Sequence, residues 1–191
     1  MVQDELKKEG CGTLMNSNSK GNTNVFLNND ISFENSWKEI SVSKINEIIS
    51  DEFPGKKDFI EFYLVKNGGV FTKGAYIYPD NFYEITNKDH ISIEIGSFFH
   101  IPLIEDKEDS YYTMSIERAR DRRIDYSEDF ENFVLFHIPF ADNHADNDFW
   151  IDIQTGEIKY MDYEKSYDPD DAIVVAPSFL EFCKHLQATL K

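Results

Sequence analysis

Basic side chains are scarce in this sequence. Nineteen lysines and arginines stand against 36 aspartates and glutamates, a formal net charge of -17, and all four arginines fall in one window, Arg118, Arg120, Arg122 and Arg123. Phosphate contacts need a basic surface, so the composition argues against direct binding to nucleic acid or to an anionic membrane. Cysteine is nearly absent as well. Cys11 lies in a polar stretch and Cys183 in a helical one, with no CxxC or Cys-His spacing, so neither a disulfide framework nor a zinc site follows. No run approaches the roughly 18 uninterrupted apolar residues of a membrane span, and the N-terminus lacks a basic region followed by an apolar one. The chain reads as a soluble cytoplasmic protein. Phosphate-cradling glycine patterns, a GxSxG elbow and an HExxH pair are all missing.

Aromatic residues are plentiful, with Phe 16 and Tyr 10, enough to fold a core despite the high charge. A chain of 191 residues fits one domain. Residues 1–30, which include the run NSNSKGNTN, offer little to bury and are expected to form a flexible tail. The domain is expected over 31–191, where Phe33 and Trp37 bring in the first large apolar side chains.

Ile45, Ile48 and Ile49 recur at helical spacing, and a second helix is expected over 57–66 from Phe59, Phe62, Tyr63 and Val65. It stops at Asn67, Gly68 and Gly69, where a glycine supplies a left-handed cap. Strands are expected over 70–78, over 91–95 from the alternation of Ile91, Ile93 and Ile95, and over 133–138. Between the last two, Asp109 or Ser110 is placed to cap one inserted helix carrying Tyr112, Ile116 and Ala119. Residues 149–153 and 158–161 flank Gln154, Thr155 and Gly156 as a hairpin, and 172–176 reads as a buried strand. Ser178 and Glu181 have capping-box spacing before a last helix striped by Phe179, Phe182, Cys183, Leu186 and Leu190. Hairpin-joined strands without regular βαβ alternation predict an α+β fold: a single domain with a mostly antiparallel sheet flanked by N-terminal and C-terminal helices.

No constellation reads as catalytic, and no cofactor or metal is expected. The arginine window is an anion site or, with Glu117 and Asp121 interleaved, the polar side of a helix, the latter favoured. Asp142, His144, Asp146 and Asp148 alternate like the first ligands of a calcium loop. Asn147 and Ile153 stand where that loop wants Gly and Glu, so a structural turn is the better reading. The acids of 164–171 are a recognition loop or a solvated turn, and only weakly a glycosidase pair. His90, His100 and His137 sit in or beside expected strands, and His185 on the last helix. The net charge nominates a basic protein partner, or merely keeps the chain soluble.

Trp37, the Asn67-Gly68-Gly69 stop, the polar turn at 142–148, the run Phe149-Trp150-Ile151-Asp152 with Gly156, and Ser178-Phe179 with Phe182 stand in an order that resembles the SUKH superfamily. That group holds fungal cell-wall regulators and bacterial toxin-immunity proteins. The resemblance covers about residues 33 to 190, with Phe53-Pro54 where the family has Leu-Pro, and a long acidic stretch over 104–131. It implies a non-enzymatic binding domain, most often an immunity protein that neutralises a cognate polymorphic toxin, often a nuclease, by direct contact. A regulatory scaffold of the cell-wall-regulator type is the alternative. An acidic protein suits a nuclease surface built to hold phosphates. On that reading Asp142, Asp146, Asp168, Asp170 and Asp171 are the candidate partner-binding residues. Trp37, Asn67, Gly68, Gly69, Trp150, Gly156, Ser178 and Phe179 are expected to serve the fold.

Overall fold

Four helices begin the same way, with a serine hydroxyl accepting the backbone N–H three residues on. Ser41 caps α1 (Val42–Ile48), Ser115 caps α3 (Ile116–Ile124), Ser127 caps α4 (Glu128–Leu135) and Ser178 caps α5 (Phe179–His185). α2 (Lys56–Val65) instead follows Gly55 in a left-handed conformation. The computed structural model describes residues 25–85, 91–103 and 112–190.

The strands are β1 (Phe33–Glu34), β2 (Gly69–Phe71), β3 (Tyr76–Ile77), β4 (Ile93–Glu94), β5 (Ser97–Phe98), β6 (His137–Asp142), β7 (Asp148–Asp152), β8 (Ile158–Met161) and β9 (Ile173–Ala176). Seven of them form one sheet in the order β1-β2-β5-β6-β7-β8-β9, and β3 with β4 forms a separate pair. Every strand pairing is antiparallel. The fold is α+β in a single domain.

Alternation along β7 sends successive side chains to opposite faces. Phe149 meets Phe182 of α5 on one side, and Trp150 meets Phe130 and Phe133 of α4 on the other. The first face holds the larger core, in which Phe98 and Phe140 pack on Phe179, and Phe62 of α2 packs on Phe98. Each such ring contributes about 1.5–3 kcal/mol by leaving water. Phe26 belongs to this core at 7% exposure and packs on Phe33, Phe62 and Phe71. The packed domain thus reaches back into the span expected as tail.

Several expected elements differ. The run 133–138 is not a strand: α4 continues to Leu135, because Phe130, Phe133 and Val134 lie on one helical stripe that covers Trp150, and β6 begins only at His137. Two helices, α3 and α4, therefore stand where one was expected. The first is capped by Ser115, while Asp109 and Ser110 lie outside the described residues and Tyr112 is exposed. The expected strand over 70–78 is divided at Gly74 between two sheets. The last helix ends at His185, since Gln187 exchanges two backbone hydrogen bonds with Tyr76 at 2.8 and 2.9 Å, and Leu190 is left exposed.

Three of the residues assigned to the fold have the following surroundings. Asn67 is buried; its amide group donates to the Lys38 and Ile101 carbonyls and accepts from the Ile101 N–H, while its own carbonyl accepts from Trp37 N–H. Gly68 has φ +68° and brings its backbone so near His100 that a β-carbon there would lie 2.8 Å from the His100 nitrogen. Gly156, at φ +77°, turns the β7–β8 hairpin against the α1–α2 connection, where a β-carbon would lie 2.5 Å from the Pro54 oxygen. Only glycine fits both the conformation and the space.

Candidate functional site

The β6–β7 hairpin is the organising element. A register shift between Pro139 and Ala141 leaves Phe140 as an extra residue on β6. Such a bulge changes which side chains share a face. Phe140 and Ala141 both join the large core, and Asp142 falls on the opposite face, directly across from Asp148. The turn between them is self-contained: the Asn143 side-chain oxygen accepts the N–H groups of Ala145 and Asn147, and Asp146 takes φ +63°. Asn147 is buried and accepts the Tyr163 N–H at 2.8 Å.

α3 lies over this hairpin and supplies its counter-charges. Arg122 donates to both Asp146 and Asp148. Arg123 donates from Nε to Asp148 Oδ2 at 2.6 Å, and from its Nη atoms to the Asp146 carbonyl and the Tyr126 hydroxyl. Arg123 is 2% exposed and Asp148 0%. The arginine window is therefore not simply a polar helix side, because half of it is drawn inward by two carboxylates. Burial acts to lower the Arg123 guanidinium, and the hydrogen bond and charge of Asp148 more than offset it, holding it above its ordinary value. Burial pushes the Asp148 carboxyl up, against the pull of Arg123 and Arg122.

From Arg123 the arrangement runs outward through tyrosines. Its guanidinium lies 3.9 Å from the Tyr163 ring centre and 5.3 Å from that of Tyr126. Tyr126 meets Tyr167 edge-on at 4.9 Å. Tyr126 and Tyr167 are 37% and 56% exposed, whereas Tyr163 is buried and its phenol is held well above the usual range, by burial first and by Asp148 second. Around the two exposed rings stand exposed acids: Asp125 at the end of α3, Glu128 and Asp129 at the start of α4, and Asp168, Asp170 and Asp171 in a 3₁₀ turn that packs beside that helix. Asp168 caps this turn by accepting the Asp170 N–H at 3.0 Å.

On the other side of the 143–147 turn, where the sheet face is not covered by α3 and α4, an open cleft of about 580 Å³ is lined by Val70, Gly96, Ser97, Tyr112, Asp142 and His144, among others, with Asp146 also reaching it. Asp142 accepts from the Ser97 hydroxyl at 2.6 Å. Burial pushes its carboxyl up to about 6, the Ser97 bond opposing and the Asp148 charge adding to the rise.

The five aspartates expected to meet a partner are thus in three settings. Asp168, Asp170 and Asp171 are exposed beside the tyrosines; Asp146 is exposed but bound to both arginines; Asp142 is a strand residue, half-buried in the cleft. Trp150, Ser178 and Phe179 serve packing and capping, and Trp37 lies with its ring centre 5.6 Å from that of His100. His100 is buried against Thr113, His137 stacks on Phe133 at 3.7 Å, and His90 lies outside the described residues. Among the described residues no three His, Cys, Asp or Glu side chains gather into a metal-holding group. None of the described helices is long and apolar enough to cross a membrane. Sequence reasoning missed Ser97, Tyr126, Tyr163 and Tyr167. The available signal was that Tyr126 closely follows the arginine window and that Tyr163 and Tyr167 stand beside and within the acidic stretch 164–171.

Comparison with protein-family models, with curated proteins and with solved structures finds no match to this chain.

Proposed function

We propose that this protein is a non-enzymatic binding domain that captures a basic protein, acting as an immunity protein that neutralises a cognate toxin by direct contact. The observation that carries the reading is the exposed surface where Tyr126 and Tyr167 stand among Asp125, Glu128, Asp129, Asp168, Asp170 and Asp171. Tyrosine is enriched at interface centres because it brings a large contact area at little entropic cost, and a rim of one charge sign accelerates association with the opposite sign. Tyr126 is also fastened from behind by the Arg123 guanidinium, so its ring is ordered before any partner arrives. The net charge of -17 and the sequence resemblance to the SUKH superfamily support the same reading.

The test is a charge reversal, Asp168→Lys with Asp170→Lys and Asp171→Lys, compared with the unaltered protein for retention of basic proteins from its native lysate at low and high salt. One basic, toxin-like protein, released by salt and lost on reversal while thermal stability is unchanged, is the expected outcome. Equal losses of binding and stability would sink the assignment of this surface. A set of diverse, weakly held housekeeping proteins would favour a regulatory scaffold.

A further inference from the structure

We infer that the cleft beside β2, β5 and β6 is a receptor for a single arginine or lysine side chain carried on an extended segment of the protein partner. The inference rests on the reading of this chain as a binder of a basic protein and adds where, and through which atoms, one basic residue is held.

The cross-strand row Val70, Ser97, Asp142 and Asp148 runs across the sheet on one face. Its two carboxylates stand directly opposite one another, an unfavourable placement for like charges. Asp148 resolves this through Arg122 and Arg123. Asp142 does not: among the described residues it forms no ion pair, and Ser97 is its hydrogen-bond donor. The Arg122 charge reaches Asp142 without a direct bond, so this half-buried carboxylate facing an open cleft is matched by a cation that enters from outside. Its carboxyl is pushed up to about 6 by burial first, the Asp148 charge adding and the Ser97 bond and Arg122 charge opposing.

The walls fit the rest of such a side chain. Val70 and the Tyr112 ring offer apolar and aromatic surface for a methylene stem and a cation above a ring, while Asp146, already paired with Arg122 and Arg123, stands at the rim. Gly96 keeps the entrance low, since a β-carbon there would come within 3.2 Å of the His144 imidazole. The cleft volume of about 580 Å³ exceeds one side chain, which leaves room for flanking backbone. Through Asp146 and Arg123 the cleft joins the surface of Tyr126 and Tyr167, so a partner covering one reaches the other.

Capped Gly-Arg-Gly and Gly-Lys-Gly peptides, with Gly-Gln-Gly as neutral control, test this by amide chemical shifts. Saturable shifts confined to Gly96, Ser97 and Asn143 are expected with the two basic peptides and not with the neutral one. Asp142→Asn should weaken that binding by about tenfold or more, because it removes the charge while keeping the shape. Tyr112→Ala should weaken it as well. Asp170→Asn should leave it unchanged. No cleft shifts, equal shifts with the glutamine peptide, or indifference to Asp142→Asn would each overturn the inference. A captured basic partner whose affinity ignores Asp142→Asn would overturn the cleft alone and leave the wider reading standing. Cleft shifts without any basic partner would do the reverse.

Discussion

Replacing Arg123 by methionine keeps most of the side-chain volume and removes its charge and donors. The native guanidinium bonds Asp148 at 2.6 Å, holds the Asp146 carbonyl and lies 3.9 Å over Tyr163. Asp148 would then keep only Arg122 as a partner while remaining inaccessible to water. Breaking one side of a buried ion pair costs about 3–5 kcal/mol, since the charge left behind has lost its compensation. For a chain of this size each kcal/mol moves the melting temperature by about 2–4 °C, so a fall of roughly 6–20 °C is expected. Urea unfolding at pH 7, followed through Trp150, which packs against α4 in the same layer, reads the loss directly. Adding Asp148→Leu should recover part of the stability, because both charges are then gone, and the double-mutant cycle should show coupling of at least about 2 kcal/mol. A single variant within about 1 kcal/mol of the native protein, or strict additivity in the cycle, would refute the account of α3 as a helix held by buried charge.

Two groups should tilt the pH dependence of stability in opposite directions. Burial above all lowers the His137 imidazole to about 4, so its contribution is complete above about pH 6.5 and is lost as pH falls toward 4. Asp142, raised by burial to about 6, contributes most below about pH 4 and loses that contribution as pH rises through 6. Chemical denaturation from pH 4 to 8 should therefore show Asp142→Asn gaining up to about 3 kcal/mol at pH 7 and nothing near pH 4, while His137→Gln should flatten the acid limb. A uniform offset across pH would contradict both assignments. Gly156→Ala combines a left-handed backbone with a β-carbon 2.5 Å from the Pro54 oxygen, so a loss of about 2 kcal/mol or more is expected in thermal melts. A native melting temperature for that variant would mean that the hairpin and the α1–α2 connection do not meet so closely.

Elements whose signal is local were legible in the chain itself. Ser178 announces a helix start because a cap is a bond between neighbours three residues apart. The β7–β8 hairpin is written in Gly156 and the left-handed turn into β2 in Gly68, because backbone conformation there is decided by the residue that occupies it, whereas α2 itself ends earlier, at Val65, on an extended Lys66 rather than a glycine cap. Amphipathic spacing in α2 and the net charge likewise need no partner to be read. Tertiary structure alone decided the rest. Residues 133–138 have the composition of a strand, yet the stripe of Phe130, Phe133 and Val134 found Trp150 to cover, and burial outweighed β propensity up to Leu135. The bulge at Phe140 then set Asp142 across from Asp148, and α3 brought Arg122 and Arg123 to one of those carboxylates while Ser97 met the other. A charge shows its sign in the sequence, whereas its burial and its partner depend on which distant segments fold against it.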